Sequence, residues 1–234
     1  MAVTKPLANC GETAMIKLKR TFSLLILLTT SAVVHAKDSC TIEAQWLNPN
    51  YDHSIDYQNA NVATDFFLLM FSNSQKFCAK MQRKGQTEKV KFQCDSPNTF
   101  GWVVHGLWSE NHQAYISGNK KGHPRFCQGD LPKVDLSKMK PYLCISPGTR
   151  LLQGEWEKHG ACDFPTFDAY YQKTLQLYQR FQMPPANLKA KPAMYWMKKQ
   201  HPELQNTWMH LTRNEFGICF DKQFNVMNCP KRHR

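Results

Sequence analysis

Hydrophobic positions along the chain fall into a few blocks separated by polar stretches. The first, Thr21 to Val34, is mostly apolar and centres on Leu24-Leu25-Ile26-Leu27-Leu28. It is shorter than the roughly 20 apolar residues a membrane-spanning helix needs. Met15-Ile16-Lys17-Leu18-Lys19-Arg20 leads into it and Val34-His35-Ala36 closes it. A basic start, a short apolar centre and a small-residue end are the parts of a secretory signal. Residues 1–36 are therefore expected to be a leader, with its functional start at Met15 and cleavage after Ala36. Residues 37–234 are then a single catalytic domain, in a secreted or periplasmic protein with no membrane contact after cleavage.

Beyond the leader, residues 37–64 are polar and predict an extended arm. Asp65 to Phe71 is a short apolar run rich in aromatics and predicts a buried central strand. Residues 73–98 are polar and carry two cysteines. Phe100 to Val104 predicts a second strand, with His105 leaving its end. Residues 109–150 hold Gly, Pro, Lys and Ser clusters and predict loop, with a short helix near 134–142. A helix is expected to open or fill 153–162. Phe167, Tyr170, Tyr171, Leu175, Tyr178 and Phe181 recur at helical spacing within Asp163 to Met183, a stripe that predicts core packing, and Pro184-Pro185 stops that helix. Pro192 to Gln200 predicts a further helix, and 208–229 two strands joined by a turn. Non-alternating helices and strands predict an α+β fold, a sheet covered by helices on one side.

Charge and cysteine count change this picture. The chain of 234 residues has a net charge of +12, which points to an anionic partner such as nucleic acid, a membrane surface or an acidic polysaccharide. Losing the leader removes Lys5, Lys17, Lys19 and Arg20 against Glu12, so the remainder stays strongly basic. Of nine cysteines, Cys10 leaves with the leader. An even count in an exported chain implies disulfides. Zinc is the rival reading, weakened because no Cys-x2-Cys pair occurs.

Two histidine segments carry candidate chemistry: Val104-His105-Gly106-Leu107-Trp108 and Glu155-Trp156-Glu157-Lys158-His159-Gly160. On a helix, Glu155, Lys158 and His159 share one face at i, i+3 and i+4. A carboxylate, an ammonium and an imidazole then converge, and a second imidazole from His105 could face them. Two imidazoles near neutral pH can take one proton and give another, as phosphodiester cleavage without a metal requires. A fixed cation would stabilise charge on the phosphorane oxygens. The same spacing also fits a Glu–Lys pair on a solvated helix face.

His-Gly-Leu-Trp followed by Glu-Trp-x-Lys-His-Gly-x-Cys resembles the two signature segments of the ribonuclease T2 family of secreted endoribonucleases. Phe77-Cys78, Cys94, Cys219-Phe220-Asp221 and Asn228-Cys229-Pro230 extend the resemblance over about residues 65–230. It implies a central, mainly antiparallel sheet packed with helices and stapled by disulfides. It implies His159 as general base on the ribose 2′-hydroxyl, His105 as general acid on the departing 5′-oxygen, and Glu155 with Lys158 as transition-state stabilisers. Trp108 and Glu110 are implied at the base-binding side. The substrate would be single-stranded RNA, cut by a monomer to 2′,3′-cyclic phosphate ends, with no cofactor and no metal. The resemblance also implies the pairs Cys78–Cys94, Cys127–Cys162 and Cys219–Cys229, leaving Cys40 with Cys144.

Three positions depart from the family pattern. Gly154 stands where many members carry a phosphate-binding histidine, Ser109 where a proline is usual, and Asn73 where a tryptophan is common. Gly154 and the terminal Lys231-Arg232-His233-Arg234 cluster motivate an alternative, a weakly active or inactive member that binds RNA or another polyanion. A Cys-His thiol hydrolase fails, because eight paired cysteines leave no nucleophile.

Overall fold

A computed structural model describes residues 40–52, 54–55 and 57–231. The leader, its start at Met15 and its cleavage after Ala36 lie outside the described residues, as do Arg232, His233 and Arg234 of the basic tail.

The apolar run becomes strand β1 (Phe66–Asn73), buried at every position except Ser72. It is central: β2 (Trp102–Glu110) flanks it on one side and β4 (Glu215–Phe220) on the other, with β3 (His210–Leu211) and β5 (Val226–Met227) pairing to β4. All pairings are antiparallel. Side chains alternate across a strand, so β1 serves two clusters. Phe67, Leu69 and Phe71 enter the main core, while Phe66, Leu68 and Met70 pack with Tyr115 and the Cys219–Cys229 disulfide.

Helices α1 (Ser74–Arg83), α2 (Lys91–Cys94), α3 (His112–Ser117), α4 (Leu136–Met139), α5 (Thr149–Lys158), α6 (Phe167–Gln179) and α7 (Ala190–Gln200) complete the α+β fold. The aromatic stripe of α6 is core: Phe167, Tyr170 and Tyr171 are buried. Tyr170 also secures β2, an outer strand of the sheet. Its hydroxyl accepts from the Leu107 amide at 3.0 Å and donates to the Leu107 carbonyl at 3.1 Å. An outer strand needs such partners for its unpaired backbone groups.

Several boundaries differ from the sequence expectation. The second strand does not stop at Val104 but runs through His105 to Glu110. Gly106 within this strand has no room for a side chain, since a Cβ would occupy the space of the Glu155 carboxylate and the Trp108 indole nitrogen. Residues 73–98 contain α1, capped where the Asn73 side chain accepts from the Lys76 amide at 3.0 Å. The helix after Pro147 spans 149–158, and a separate 3-10 turn covers Gly160–Cys162. The C-terminal region holds three strands rather than two. All four implied disulfides are formed: Cys40–Cys144, Cys78–Cys94, Cys127–Cys162 and Cys219–Cys229.

Candidate active site

His105 reaches the site through an irregularity in β2. Met70 pairs with Gly106 and Phe71 with Val104, so His105 is the extra residue of a β-bulge. A bulge re-aims the side chain it carries, a common device beside functional sites. The imidazole points toward α5 on one side and β4 on the other. Its Nε2 lies 3.6 Å from Glu155 Oε1, and its Nδ1 donates to Glu215 Oε1 at 2.8 Å. Ser72 of β1 is the register partner of both Val103 and Glu215, so only a small side chain separates β2 from β4 at this level.

Glu155, Lys158 and His159 come together at the end of α5, as their spacing predicts, with His159 as the C-cap residue just beyond it. His159 Nε2 lies 3.8 Å from Glu155 Oε2. Trp108 donates its indole N–H to the same oxygen at 2.7 Å and stacks on the His159 ring, with centroids 5.4 Å apart and planes 13° from parallel. The Lys158 side chain is half-buried and makes no ion pair among the described residues. Its charge is felt by His105, Glu155 and His159 alike. Two glycines and a serine hold this geometry. A Cβ on Gly160 would strike the rings of Tyr170 and Trp156. Ser109, in place of the usual proline, donates to Asp163 Oδ2 at 2.5 Å and sits 3.2 Å from the His159 carbonyl, tying β2 to the turn after α5.

The two imidazoles titrate in opposite directions. Burial opposes the charged form of His105, but Glu155 and Glu215 outweigh it and hold its pKa above the ordinary histidine value. For His159 burial is again the largest influence, and Arg125, Lys158, His105 and His123 reinforce it, so its pKa is well below the ordinary value. Its Nδ1 is buried without a hydrogen-bond partner among the described residues. Burial also raises Glu155, against the pull of His105, the Trp108 N–H, Lys158 and Arg125. Glu215 is lowered, because its hydrogen bond to His105 and the nearby positive charge overcome burial. Divergent shifts in adjacent groups are how one site keeps an acid protonated and a base neutral at one pH.

Two residues change standing. Glu215 was not singled out in the sequence, since a lone glutamate after a turn carries no spacing signal. Sheet register alone brings it to His105. Glu110, expected beside a base, is instead buried: it pairs with Arg125 Nη2 at 2.7 Å and His123 Nδ1 at 3.0 Å, which occupies both carboxylate oxygens. A carboxylate enclosed in this way has no free face for a substrate base.

A histidine from a bulged strand and a second from a helix end thus meet around one carboxylate, an arrangement suited to acid–base chemistry. The chain belongs to the ribonuclease T2 family, whose sequence pattern matches residues 64–229. A probable ribonuclease of Haemophilus influenzae is 41% identical over 179 residues, covering 75% of this chain and 64% of the relative. A ribonuclease of Aeromonas hydrophila is 23% identical over 139 residues, covering 59% and 56%. The chain thus spans less than two thirds of the length of these relatives. Among solved structures, trichomaglin, an S-like ribonuclease, matches with a TM-score of 0.49 and 20% identity over 72% of this chain and 93% of that one. An RNase-related protein from Calystegia sepium matches with a TM-score of 0.48 and 18% identity, covering 73% and 93%.

Proposed function

We propose that the protein is a metal-independent endoribonuclease that cleaves single-stranded RNA by transesterification. The reading rests above all on the opposed surroundings of the two imidazoles, joined to the family membership of the chain. His159, kept neutral, takes the proton of the ribose 2′-hydroxyl on Nε2. The 2′-oxygen then bonds to phosphorus. His105, kept protonated by its two carboxylate neighbours, gives its Nε2 proton to the departing 5′-oxygen. The products are a 2′,3′-cyclic phosphate and a free 5′-hydroxyl. Water hydrolyses the cyclic ester with the two roles exchanged. Lys158 supplies fixed positive charge for the phosphorane oxygens, worth most where water is excluded. Glu155 lies between the imidazoles and steadies whichever is charged. Glu215 is a positioning residue, holding the Nδ1 proton of His105 so that Nε2 faces the substrate. Trp108 covers the base histidine and orients Glu155. DNA lacks the nucleophile and is resistant.

Export to a secreted or periplasmic location accords with the four disulfides, which persist in oxidising compartments. No helix among the described residues is long and apolar enough to cross a membrane.

The test is incubation of the protein with single-stranded RNA in EDTA, followed by analysis of the ends. Wild type yields cyclic-phosphate ends, and His105→Phe and His159→Phe do not. Binding without cleavage by wild type would favour the polyanion-binding alternative, and cleavage by both variants would refute the mechanism.

A further inference from the structure

A cavity of about 680 Å³ opens beside His105, and its occupant can be inferred from three observations. The first is its position. His105 and Glu215 line it, whereas Trp108, Lys158 and His159 do not. In the proposed reaction His105 serves the departing 5′-oxygen, so the cavity adjoins the leaving side of the scissile phosphate.

The second observation is charge. Lys76, Lys80, Lys89, Arg150 and Arg213 line the cavity, and Glu215 is the sole carboxylate among its lining residues. That carboxylate is already engaged by His105. The side chains of Lys76, Lys80, Lys89 and Arg213 are exposed and form no ion pair among the described residues. They come from three separate elements: α1, the 3-10 segment Thr87–Val90 and the turn between β3 and β4. Such a spread suits a chain of phosphates better than one small anion.

The third is rigidity. Lys76 and Lys80 stand one turn apart on α1 and present their charges on one face. Asn73 caps the start of that helix, the Gln93 amide donates to Ser74 Oγ at 2.8 Å, and Cys78–Cys94 fixes α1 to α2. Lys76 and Lys80 are therefore held by a braced element.

We propose that this cavity binds the RNA chain on the 3′ side of the scissile bond, with Lys76, Lys80, Lys89 and Arg213 contacting its downstream phosphates. The inference rests on the ribonuclease reading and adds to it a polarity: the enzyme grips the strand that will leave with the 5′-hydroxyl. It makes a polymer continuing in the 3′ direction the preferred substrate.

The test uses DNA oligonucleotides carrying one ribonucleotide, so that each is cut once, extended by a few nucleotides on either the 3′ or the 5′ side. With wild type, 3′ extension lowers KM and 5′ extension has little effect. In Lys76→Ala/Lys80→Ala/Lys89→Ala the gain from 3′ extension disappears, while turnover of a minimal dinucleotide is unchanged, which also shows that the variant is folded. Each lost contact to a single strand lowers the salt exponent by about 0.7, so a fourfold rise in salt weakens the 3′-extended substrate about 20-fold more in wild type than in the triple variant. Arg213→Ala, on a different element, gives a smaller loss of the same kind. Equal effects of 3′ and 5′ extension on wild type, or a triple variant that keeps the 3′ gain, would overturn the proposal. If wild type cuts none of the oligonucleotides and no all-RNA strand, the ribonuclease reading fails and the proposal with it.

Discussion

His105 and His159 approach the same carboxylate, at 3.6 and 3.8 Å, yet the rest of their surroundings differ. The His105 side chain is 33% exposed, sits on a bulged strand and has a second carboxylate, Glu215, on its other nitrogen. The His159 side chain is 3% exposed, lies under Trp108, and has positive neighbours in Arg125, Lys158 and His123. The surroundings thus favour the charged form of one imidazole and the neutral form of the other, although both come from the same residue type. The lesson concerns where acid–base identity resides. It is set by the whole surroundings of each ring: Glu155 and Glu215 together raise His105 against its burial, while burial and positive neighbours lower His159.

Removing either ring breaks the comparison outright. His105→Ala and His159→Ala are each expected to lower kcat on RNA by about 10²–10⁴-fold, the usual worth of a positioned proton-transfer group. Single-turnover rates measure this, and a variant that keeps full rate would remove its histidine from the mechanism. The next effect concerns only the His159 side. Cys127–Cys162 closes a 35-residue separation and ends three residues after His159. Cys127→Ala/Cys162→Ala should cost about 2–5 kcal/mol in thermal or denaturant unfolding. The His105 side depends on sheet pairing, so cleavage should fail through the base histidine first.

Glu215→Gln sharpens the contrast. It removes the carboxylate found only on the acid side. The His105 pKa then falls, and the alkaline limb of the kcat/KM profile moves to lower pH, since the acid must stay protonated. The acidic limb, governed by neutralising His159, stays where it is. A rate loss of roughly tenfold is expected on the alkaline side, and an unmoved alkaline limb would show that Glu215 is merely structural. In wild type, the raised acid and lowered base together give a broad active window around the ordinary histidine range.

The smallest effect compares two glutamates on α5. Glu157, two residues beyond Glu155, lies on a different face of α5 and is fully buried. Its Oε1 accepts from Gln153 at 2.6 Å, Oε2 has no partner among the described residues, and burial lifts its pKa to about 7 from 4.5. A carboxyl raised in the folded state imposes no penalty below pH 4.5 and its full penalty above about pH 7, so stability falls as pH rises between them. Glu157→Gln should therefore stabilise the protein by about 1 kcal/mol or more at pH 8, with the gain vanishing below pH 4.5. Urea unfolding at the two pH values checks it.

These particulars also mark what a sequence reveals. β1 was legible because an unbroken apolar run can only be buried, and α6 because its aromatics repeat at helical spacing. Glu155, Lys158 and His159 were legible because local spacing brings them together. α1 was not, since its apolar positions, Phe77 and Met81, are sparse among polar neighbours and its cap is an asparagine. The bulge at His105 was hidden because it depends on register with β1. The Glu215 contact spans 110 residues of sequence and exists only through that same sheet. Glu110 was misplaced for a related reason: Arg125 and His123 enclose it through a loop that sequence spacing does not foretell.

The division of labour between the two imidazoles is the central claim. RNA bearing sulfur in place of the departing 5′-oxygen tests it directly, because a thiolate leaves without a proton. The account predicts that His105→Ala cuts this substrate at close to the wild-type rate, while His159→Ala stays impaired. Rescue of His159→Ala instead, or equal impairment of His105→Ala on the sulfur and oxygen substrates, would contradict it.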